Sequence, residues 1–162
     1  MNTKQDERES IVKEYSVTVW RIALALTRRE DYAEEVYQEV FLRLFRKERS
    51  FRDEEHRKAY IIRTTLNCCK SYLSSAFRSD NVSLEEVGDT LILSEEKKGV
   101  LEAVLRLPAK YRMPIQLYYM EGLTAEECAK ALKLRAGAFR TRLSRAKAML
   151  KEELKGDGIY VE

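Results

Sequence analysis

The spacing of apolar residues predicts helices along most of the chain. Apolar side chains recur every three or four positions, which is the period of one face of an α-helix, so we predict an all-α fold. The predicted helices cover about residues 7–27, 31–45, 59–77, 95–105, 108–120 and 124–132, and a longer helix begins near Arg135. The predicted inward positions are Ile11, Tyr15, Val19, Ile22 and Leu26, then Val36, Val40, Phe41 and Leu44, then Ile62, Leu66, Cys69 and Leu73, and finally Phe139, Leu143, Ala146 and Leu150.

Three of the predicted helices carry start signals. Asp31 is a predicted N-cap, with Glu34 three residues later in the position of a capping box. Thr124 and Glu127 form the same pattern in a later helix. Pro108 is predicted as the first residue of its helix, where the missing N–H is tolerated.

The helical spacing stops over residues 74–94. This segment, SSAFRSDNVSLEEVGDTLILS, carries four acidic residues against Arg78 alone. We therefore predict two small helical domains, residues 1–77 and 95–162, joined by a flexible acidic linker over residues 78–94.

Residues 122–150, GLTAEECAKALKLRAGAFRTRLSRAKAML, are predicted to form a short helix, a tight turn and a long helix. This is the layout of a DNA-reading helix-turn-helix. Two positions depart from the usual pattern. Lys133 occupies the turn, where glycine is a preference rather than a requirement. Arg135 opens the long helix without an acceptor that could cap it, so the cap must come from another group or from water.

The long helix is basic on its outward faces. Two acidic residues, Glu152 and Glu153, lie near its end. Its cations are Arg135, Arg140, Arg142, Arg145, Lys147, Lys151 and Lys155. Such one-sided positive charge indicates a partner with a phosphate backbone. A solvated surface helix has a similar composition, but the capped helix in front of this one favours DNA binding.

Composition is that of a soluble folded protein, with 35% charged and 44% hydrophobic residues. The longest apolar run, VWRIALAL at residues 19–26, is interrupted by Arg21 and is too short to span a bilayer. The polar N-terminus, MNTKQDERES, is unlike a signal peptide. Three cysteines form no disulfide framework and indicate a reducing compartment, so we expect a cytoplasmic protein without membrane insertion.

No catalytic constellation is visible in the sequence. The single histidine, His56, lies in a charged loop, so Ser-His-Asp and Cys-His arrangements have little support. The cysteines lack C-x-x-C spacing, which argues against zinc, and Cys69 and Cys128 are predicted core residues. There is no glycine-rich phosphate loop. We therefore expect a protein that acts by binding, with no enzymatic activity, no metal and no cofactor.

Further motifs follow one another in a recognisable order. The C-terminal half contains Leu107-Pro108 with Arg112, then EGLTAEECA, then GAFRTRLSRAK. The N-terminal half contains DYAEEVYQEVFLRLF at residues 31–45 and SFRDEEHRKAYIIRTTLNCCKSYL at residues 50–73. Together these motifs resemble bacterial extracytoplasmic-function (ECF) sigma factors of the sigma-70 superfamily. The two N-terminal stretches look like the polymerase-binding helix and the promoter-melting segment of that family.

The resemblance implies a promoter-specificity subunit of bacterial RNA polymerase. Residues 1–77 would bind the core enzyme and recognise and melt the minus-ten element, and residues 95–162 would read the minus-thirty-five element. The implied polymerase face consists of Glu34, Glu35, Gln38, Glu39, Leu42 and Arg43. The implied melting face consists of Phe51, Tyr60, Arg63, Asn67 and Lys70. The implied recognition face consists of Arg135, Arg140, Thr141, Arg142, Ser144, Arg145 and Lys147.

The melting face differs from the family pattern at two positions. Tyr60 stands where a tryptophan is usual, and Ser71 follows the lysine where aspartate or asparagine is frequent. By resemblance, the loop from Phe51 to Lys58 would hold a flipped base of the non-template strand, since unstacked bases need aromatic faces and cations. Phe51 and Tyr60 fit equally well as core aromatics, and sequence alone does not separate the two roles.

The resemblance also implies partners. Core RNA polymerase and promoter DNA, both double-stranded and melted, are the main ones, and an anti-sigma factor is a further one. The linker would thread towards the active-site channel of the polymerase, or it would be a solvated tether. Two other classes of protein fit parts of the pattern: a stand-alone helix-turn-helix regulator with a helical dimerisation domain, and an RNA-binding or scaffold protein. The regulator would bind promoter DNA unaided and needs no polymerase-binding helix.

Overall fold

The computed structural model describes the backbone of residues 3–76 and 95–159 and the side chains of residues 3–72 and 99–159. All regular structure in these residues is helical, which confirms the predicted all-α fold of two small helical domains. The first unit contains α1 (Thr3–Thr27), α2 (Glu30–Arg46) and α3 (Glu54–Ala76). The second unit contains α4 (Glu95–Arg106), α5 (Ala109–Ile115), α6 (Ala125–Ala131) and α7 (Ala136–Gly156). The predicted linker, residues 78–94, lies outside the described residues.

The N-terminal unit is held together by the apolar faces that the spacing predicts. All predicted inward residues of α1 and α2 are buried, as are Ile62, Leu66 and Cys69 of α3, and the side chain of Leu73 lies outside the described ones. Helix α1 packs along α3. The rings of Trp20 and Tyr37, whose centres are 6.3 Å apart, join α1 to α2. Burial of each large apolar side chain contributes about 1.5–3 kcal/mol, so these faces supply the main driving force for folding.

The start of α2 differs from the prediction. Arg28 has φ 60 and turns the chain directly after α1, and α2 already begins at Glu30. Asp31 is therefore the second residue of the helix rather than its N-cap, so that prediction is wrong. Its carboxylate accepts a hydrogen bond from the N–H of Tyr32 at 3.0 Å. The cause is the short break between the helices, which leaves only Arg28 and Arg29 outside them.

The C-terminal unit is built around its last helix. Helices α4, α5 and α6 all pack against α7, which buries Phe139, Leu143 and Ala146 as predicted. Leu150 is half-buried. Arg106, the last residue of α4, forms ion pairs with the C-terminal end of α7. Its guanidinium lies 2.8 Å from Glu153 and 2.5 Å from Asp157, and the hydrogen bonds to these carboxylates raise the pKa of Arg106.

Helix α5 starts one residue later than predicted. Pro108 is the N-cap rather than the first helical residue, because its ψ of 148 is extended. Its carbonyl nevertheless accepts hydrogen bonds from the N–H groups of Tyr111 and Arg112, both at 2.9 Å. The predicted helix does continue to Met120, but residues 116–120 form a π-helical turn. The preceding Pro114 has no N–H to donate within the helix, which is a common cause of a local break in the regular hydrogen bonding.

The π turn is fixed by a buried polar pair. The side-chain amide of Gln116 donates to the carboxylate of Glu121 at 2.8 Å, and the N–H of Glu121 donates to the carbonyl of Gln116 at 3.0 Å. Both side chains are buried. The turn therefore carries its own internal hydrogen bonds, and it sets the direction in which the chain enters α6.

Arg112 is a buried structural residue. Its Nη1 donates to the carbonyl oxygens of Leu105 at 3.2 Å and Leu107 at 3.0 Å, both at the C-terminal end of α4. The last carbonyls of a helix lack partners within the helix, and Arg112 provides them with a donor. Burial lowers the pKa of Arg112 to about 10. The hydrogen bonds from Arg112 to the end of α4 thus explain the spacing of Leu107, Pro108 and Arg112, because they hold the first turn of α5 against the last turn of α4.

All three cysteines are buried, which confirms that Cys69 and Cys128 are core residues. Burial raises the pKa of the Cys128 thiol to about 12, and it also raises the pKa of Cys68. The three side chains therefore pack as neutral thiols. Among the described helices, none combines the length and the apolar character needed to cross a bilayer.

Candidate nucleic-acid interface

Helices α6 and α7 form the predicted helix-turn-helix. The capping box at the start of α6 is confirmed: the N–H of Glu127 donates to Thr124 Oγ1 at 3.1 Å, and the N–H of Thr124 donates to Glu127 Oε1 at 2.9 Å. Cys128 and Ala129 are buried on the inner side of α6. Their small size allows the short helix to approach α7 closely, and the outer surfaces of both helices remain exposed.

The turn between α6 and α7 is left-handed at Lys133, with φ 57. Its N–H donates to the carbonyl of Lys130 at 3.2 Å, and the N–H of Leu134 donates to Ala129 at 2.8 Å. A side chain with a Cβ in this conformation costs about 1–2 kcal/mol relative to the right-handed region. Lys133 is therefore locally strained where glycine is usual, and the packing of α6 on α7 compensates for this strain.

Replacing Lys133 with glycine should raise the free energy of unfolding of the C-terminal unit. We expect a gain of about 0.5–1 kcal/mol, because glycine adopts positive φ without strain but loses more backbone entropy on folding. The measurement is the denaturant midpoint of the full chain. The matched control is Lys130→Gly, the same change within helix α6, which should lower the midpoint because glycine disfavours helix. A loss of stability in Lys133→Gly would contradict the strain argument.

The start of α7 has the uncapped geometry that its sequence predicts. Arg135 is the N-cap, with φ −73 and ψ 150, and among the described residues no side chain caps the helix. Ala136, Gly137 and Ala138 follow, so the first turn is small and its backbone N–H groups are close to solvent. Such a helix end favours an anion, and Arg135 is exposed beside it.

The recognition face divides into a centre and two edges. Arg140, Thr141, Ser144 and Arg145 are exposed together on the side of α7 opposite Phe139. Arg142 is half-buried at one edge. At the other edge, the Nζ of Lys147 lies 5.4 Å from the ring centre of Tyr119, and a hydrogen bond with this tyrosine raises the pKa of Lys147. The centre is thus the part of the helix that is able to enter a major groove.

The melting face gathers most of its predicted residues on α3. Tyr60, Arg63, Asn67 and Lys70 recur at three- and four-residue spacing, and the last three are exposed. Phe51 lies against Tyr60 with 5.5 Å between the ring centres. Both aromatic rings are half-buried, so each is supported by the protein and still reaches solvent.

A basic groove runs beside the melting face. It is lined by Tyr60, Arg63, Thr64 and Asn67 of α3 together with Arg43, Arg46, Lys47 and Arg49. The guanidinium of Arg49 lies 4.6 Å from the ring centre of Tyr60. The groove therefore combines an aromatic ring, a side-chain amide and several cations, which is the combination that binds single-stranded nucleic acid.

The polymerase face lies along α2. Glu34, Glu35 and Gln38 are exposed, and Leu42 is 60% exposed. Glu39 and Arg43 form an ion pair at 2.8 Å within the helix. Glu35 accepts a hydrogen bond from the hydroxyl of Tyr72, which raises the pKa of that tyrosine to about 12.

Comparison with known proteins decides the family. The sequence profile of Sigma-70 region 2 matches residues 11–78, and that of Sigma-70, region 4 matches residues 97–150. The ECF RNA polymerase sigma-E factor of Escherichia coli is 30% identical over 131 residues, which cover 70% of this chain and 69% of that protein. The chain belongs to the ECF sigma factors. Its first unit is thus region 2 of such a sigma factor, and its second unit is region 4.

One further relative is much longer than this chain, and one solved structure shares its fold. The probable RNA polymerase sigma factor RfaY of Xanthomonas campestris is 30% identical over 151 residues, and the chain spans only 38% of its length. The sigma factor RpoE of Bartonella quintana, solved in complex with the anti-sigma factor NepR, has the same fold at a TM-score of 0.70. That likeness covers 91% of this chain and 98% of the other at 22% identity.

Sequence reasoning missed part of the basic groove of this sigma factor. Arg46, Lys47 and Arg49 were not among the predicted site residues, and Arg43 was assigned to the polymerase face although it also lines the groove. The run RKER at residues 46–49, directly after the predicted second helix, was the available signal. Its role depends on the tertiary structure, which places the run beside Tyr60 of α3.

Proposed function

We propose that the chain binds core RNA polymerase and directs initiation at specific promoters, by recognising promoter DNA and melting it. The observation that carries this proposal is the groove beside α3, where Tyr60 and Asn67 lie among five cations. Opening a duplex requires faces on which separated bases stack and cations that neutralise the backbone of the displaced strand. The predicted loop from Phe51 to Lys58 is shorter in the structure, because α3 already begins at Glu54. The loop that contains Phe51 would hold the flipped base of the minus-ten element.

The recognition face would read the minus-thirty-five element as double-stranded DNA. Arg140 and Arg145 suit guanine, which offers two acceptors in the major groove, and Thr141 and Ser144 suit phosphates or several base edges. Arg142 and Lys147, at the edges of the face, would meet the phosphate backbone. The backbone N–H groups at the start of α7 would bind a further phosphate, beside Arg135.

Transcription with purified core polymerase tests this proposal directly. The expected result is a set of promoter-specific transcripts from bacterial genomic templates that depends on the added chain. A stand-alone helix-turn-helix regulator would instead bind a specific DNA site tightly without polymerase and would add no new start sites. That outcome would replace the sigma proposal. The exposed polymerase face on α2 is the feature that favours the sigma role, since a regulator has no use for it.

Replacing Leu42 with aspartate should weaken binding to core polymerase about tenfold or more, because buried apolar anchors dominate protein interfaces. We choose Leu42 because Glu35 also contacts Tyr72 and Glu39 also pairs with Arg43, so changes at those acids would alter the domain itself. Affinity is measured by titrating labelled protein with core enzyme. The matched control is Val17→Asp, which changes a 57% exposed apolar residue of α1. Equal losses of affinity in both variants would show that Leu42 is not part of the polymerase interface.

We also propose a non-enzymatic role in the bacterial cytoplasm, where core polymerase and DNA are found. The Bartonella relative was solved with an anti-sigma factor, and a protein of that kind would inhibit this chain by covering the faces described above. Competition between core polymerase and such a protein for α2 would be the expected sign of this regulation. No cofactor or metal is part of the proposal.

A further inference from the structure

The supporting helix of the helix-turn-helix carries an acidic residue on the side proposed to face DNA. Glu126 lies in the first turn of α6, and its Oε1 accepts a hydrogen bond from Nη2 of Arg140 at 3.1 Å. The two side chains are 71% and 60% exposed, respectively. A carboxylate at such a place repels phosphates and lowers affinity for DNA of any sequence. The cap of α6 uses its neighbour Glu127, and the proposed function assigns Glu126 no role.

The ion pair is not needed to hold the two helices together. Exposed pairs contribute only about 0–1 kcal/mol to stability. The packing of α6 on α7 rests on buried Cys128, Ala129 and Phe139. The N-terminal cap of α6 uses Thr124 and the neighbouring Glu127 rather than Glu126. The helix dipole favours a carboxylate in the first turn of α6, but it does not require the contact with Arg140, so the effect of that contact is on the guanidinium of Arg140.

Contact with a carboxylate restricts a long side chain that otherwise has many rotamers. The guanidinium of arginine is a planar fork with five N–H donors, and Glu126 engages one nitrogen of it. The remaining donors can face a base edge, and wherever the pair is formed, part of the loss of rotamer freedom precedes DNA binding. A carboxylate also competes with phosphates for the same guanidinium. Both effects favour a base contact over a backbone contact.

We propose that Glu126 is a positioning residue that directs Arg140 towards a base edge and away from phosphates, and so sets the promoter discrimination of region 4. This inference rests on the proposed function, because it assumes that α7 enters the major groove. It assigns a role in specificity to a residue outside the recognition helix. The chemical partner is a base pair whose major-groove edge accepts two hydrogen bonds, as guanine does.

Glu126→Gln in the full chain, assembled with core polymerase, tests the inference. The DNA is a promoter selected by the wild-type holoenzyme from a randomised pool, together with versions permuted in the upstream element. In the variant, a neutral amide oxygen replaces the carboxylate that holds Arg140, so Arg140 binds phosphate more readily. Affinity for permuted DNA should then rise about threefold and the slope of log affinity against log salt should steepen by about 0.9. Discrimination at one base pair should fall about fivefold or more, since a bidentate contact accounts for at least that much.

Glu152→Gln is the matched control. It removes the same charge from an exposed glutamate of α7, one that pairs with Lys155 at 3.6 Å far from the start of the helix. We expect wild-type discrimination in this control. If Glu152→Gln and Glu126→Gln have the same effect, general charge explains the result and the inference is overturned.

A double-mutant cycle with Arg140→Ala separates positioning from direct base contact by Glu126. If Glu126 acts through Arg140, Glu126→Gln should change discrimination no further in the Arg140→Ala background. An undiminished effect there, or unchanged discrimination in the single variant, would refute the inference. A failure of the proposed function is visible separately, as a wild-type holoenzyme that does not discriminate between selected and permuted DNA.

Discussion

Replacing Arg112 with methionine should lower the free energy of unfolding of the C-terminal unit by about 3 kcal/mol. The substitution keeps a long apolar stem but removes the donor that serves the carbonyls of Leu105 and Leu107. A buried acceptor left without a donor costs about 1–3 kcal/mol, and two are affected here. Relief from burying a charge offsets part of this loss, since burial already disfavours the charged form of Arg112. The denaturant midpoint of the full chain measures the change.

Two further variants make this result specific. Arg106→Met removes two ion pairs at a site where the arginine is 30% exposed, and we expect a loss of no more than about 1 kcal/mol. Arg112→Lys keeps the positive charge but replaces the planar guanidinium with a compact ammonium at a different reach, so it should recover only part of the stability. Equal losses in Arg106→Met and Arg112→Met would show that buried carbonyl bonding is not what Arg112 contributes.

Replacing Tyr60 with alanine should reduce promoter opening by the holoenzyme about tenfold to a hundredfold, because stacking of one base on an aromatic ring contributes about 1–3 kcal/mol. The ring of Tyr60 is half-buried between Phe51 and Arg49, so it is held in place and still reaches the groove. Opening is measured by the permanganate reactivity of unpaired thymines at a selected promoter. The two sequence-based roles of Tyr60 coexist in the structure: Phe51 packs against its ring, and the ring still reaches solvent.

Tyr60→Phe is the matched control for this prediction. It keeps the ring and removes only the hydroxyl, so opening should stay close to that of the wild-type protein. Circular dichroism of both variants checks that the N-terminal unit is folded. Near-normal opening in Tyr60→Ala, or an equal defect in Tyr60→Phe, would exclude stacking as the contribution of Tyr60.

Features that depend on neighbours within one helical turn were predictable from the sequence. The inward faces of α1 and α2, the capping box of Thr124 and Glu127 and the uncapped start at Arg135 are of this kind. Helical period and capping act between residues at most four positions apart, so the order of residues contains the information needed. The family motifs also predicted the polymerase, melting and recognition faces, because each motif falls within one helix or its flanking turn. Even locally, Asp31 was misplaced by two positions and Pro108 by one, since the exact helix start depends on the turn before it.

The remaining features depend on which helix faces which, and only the tertiary structure decided them. In the sequence, Arg112 is one position of a motif with no assigned role. The structure shows that it donates hydrogen bonds to the carbonyls of Leu105 and Leu107, because α5 folds back on the end of α4. The run from Arg46 to Arg49 becomes part of a groove because α3 lies beside it. The contact of Glu126 with Arg140 spans the turn between two helices. Local periodicity fixes which side of a helix is apolar, but the partner of each polar side chain is set by the crossing of helices, which depends on packing throughout the unit.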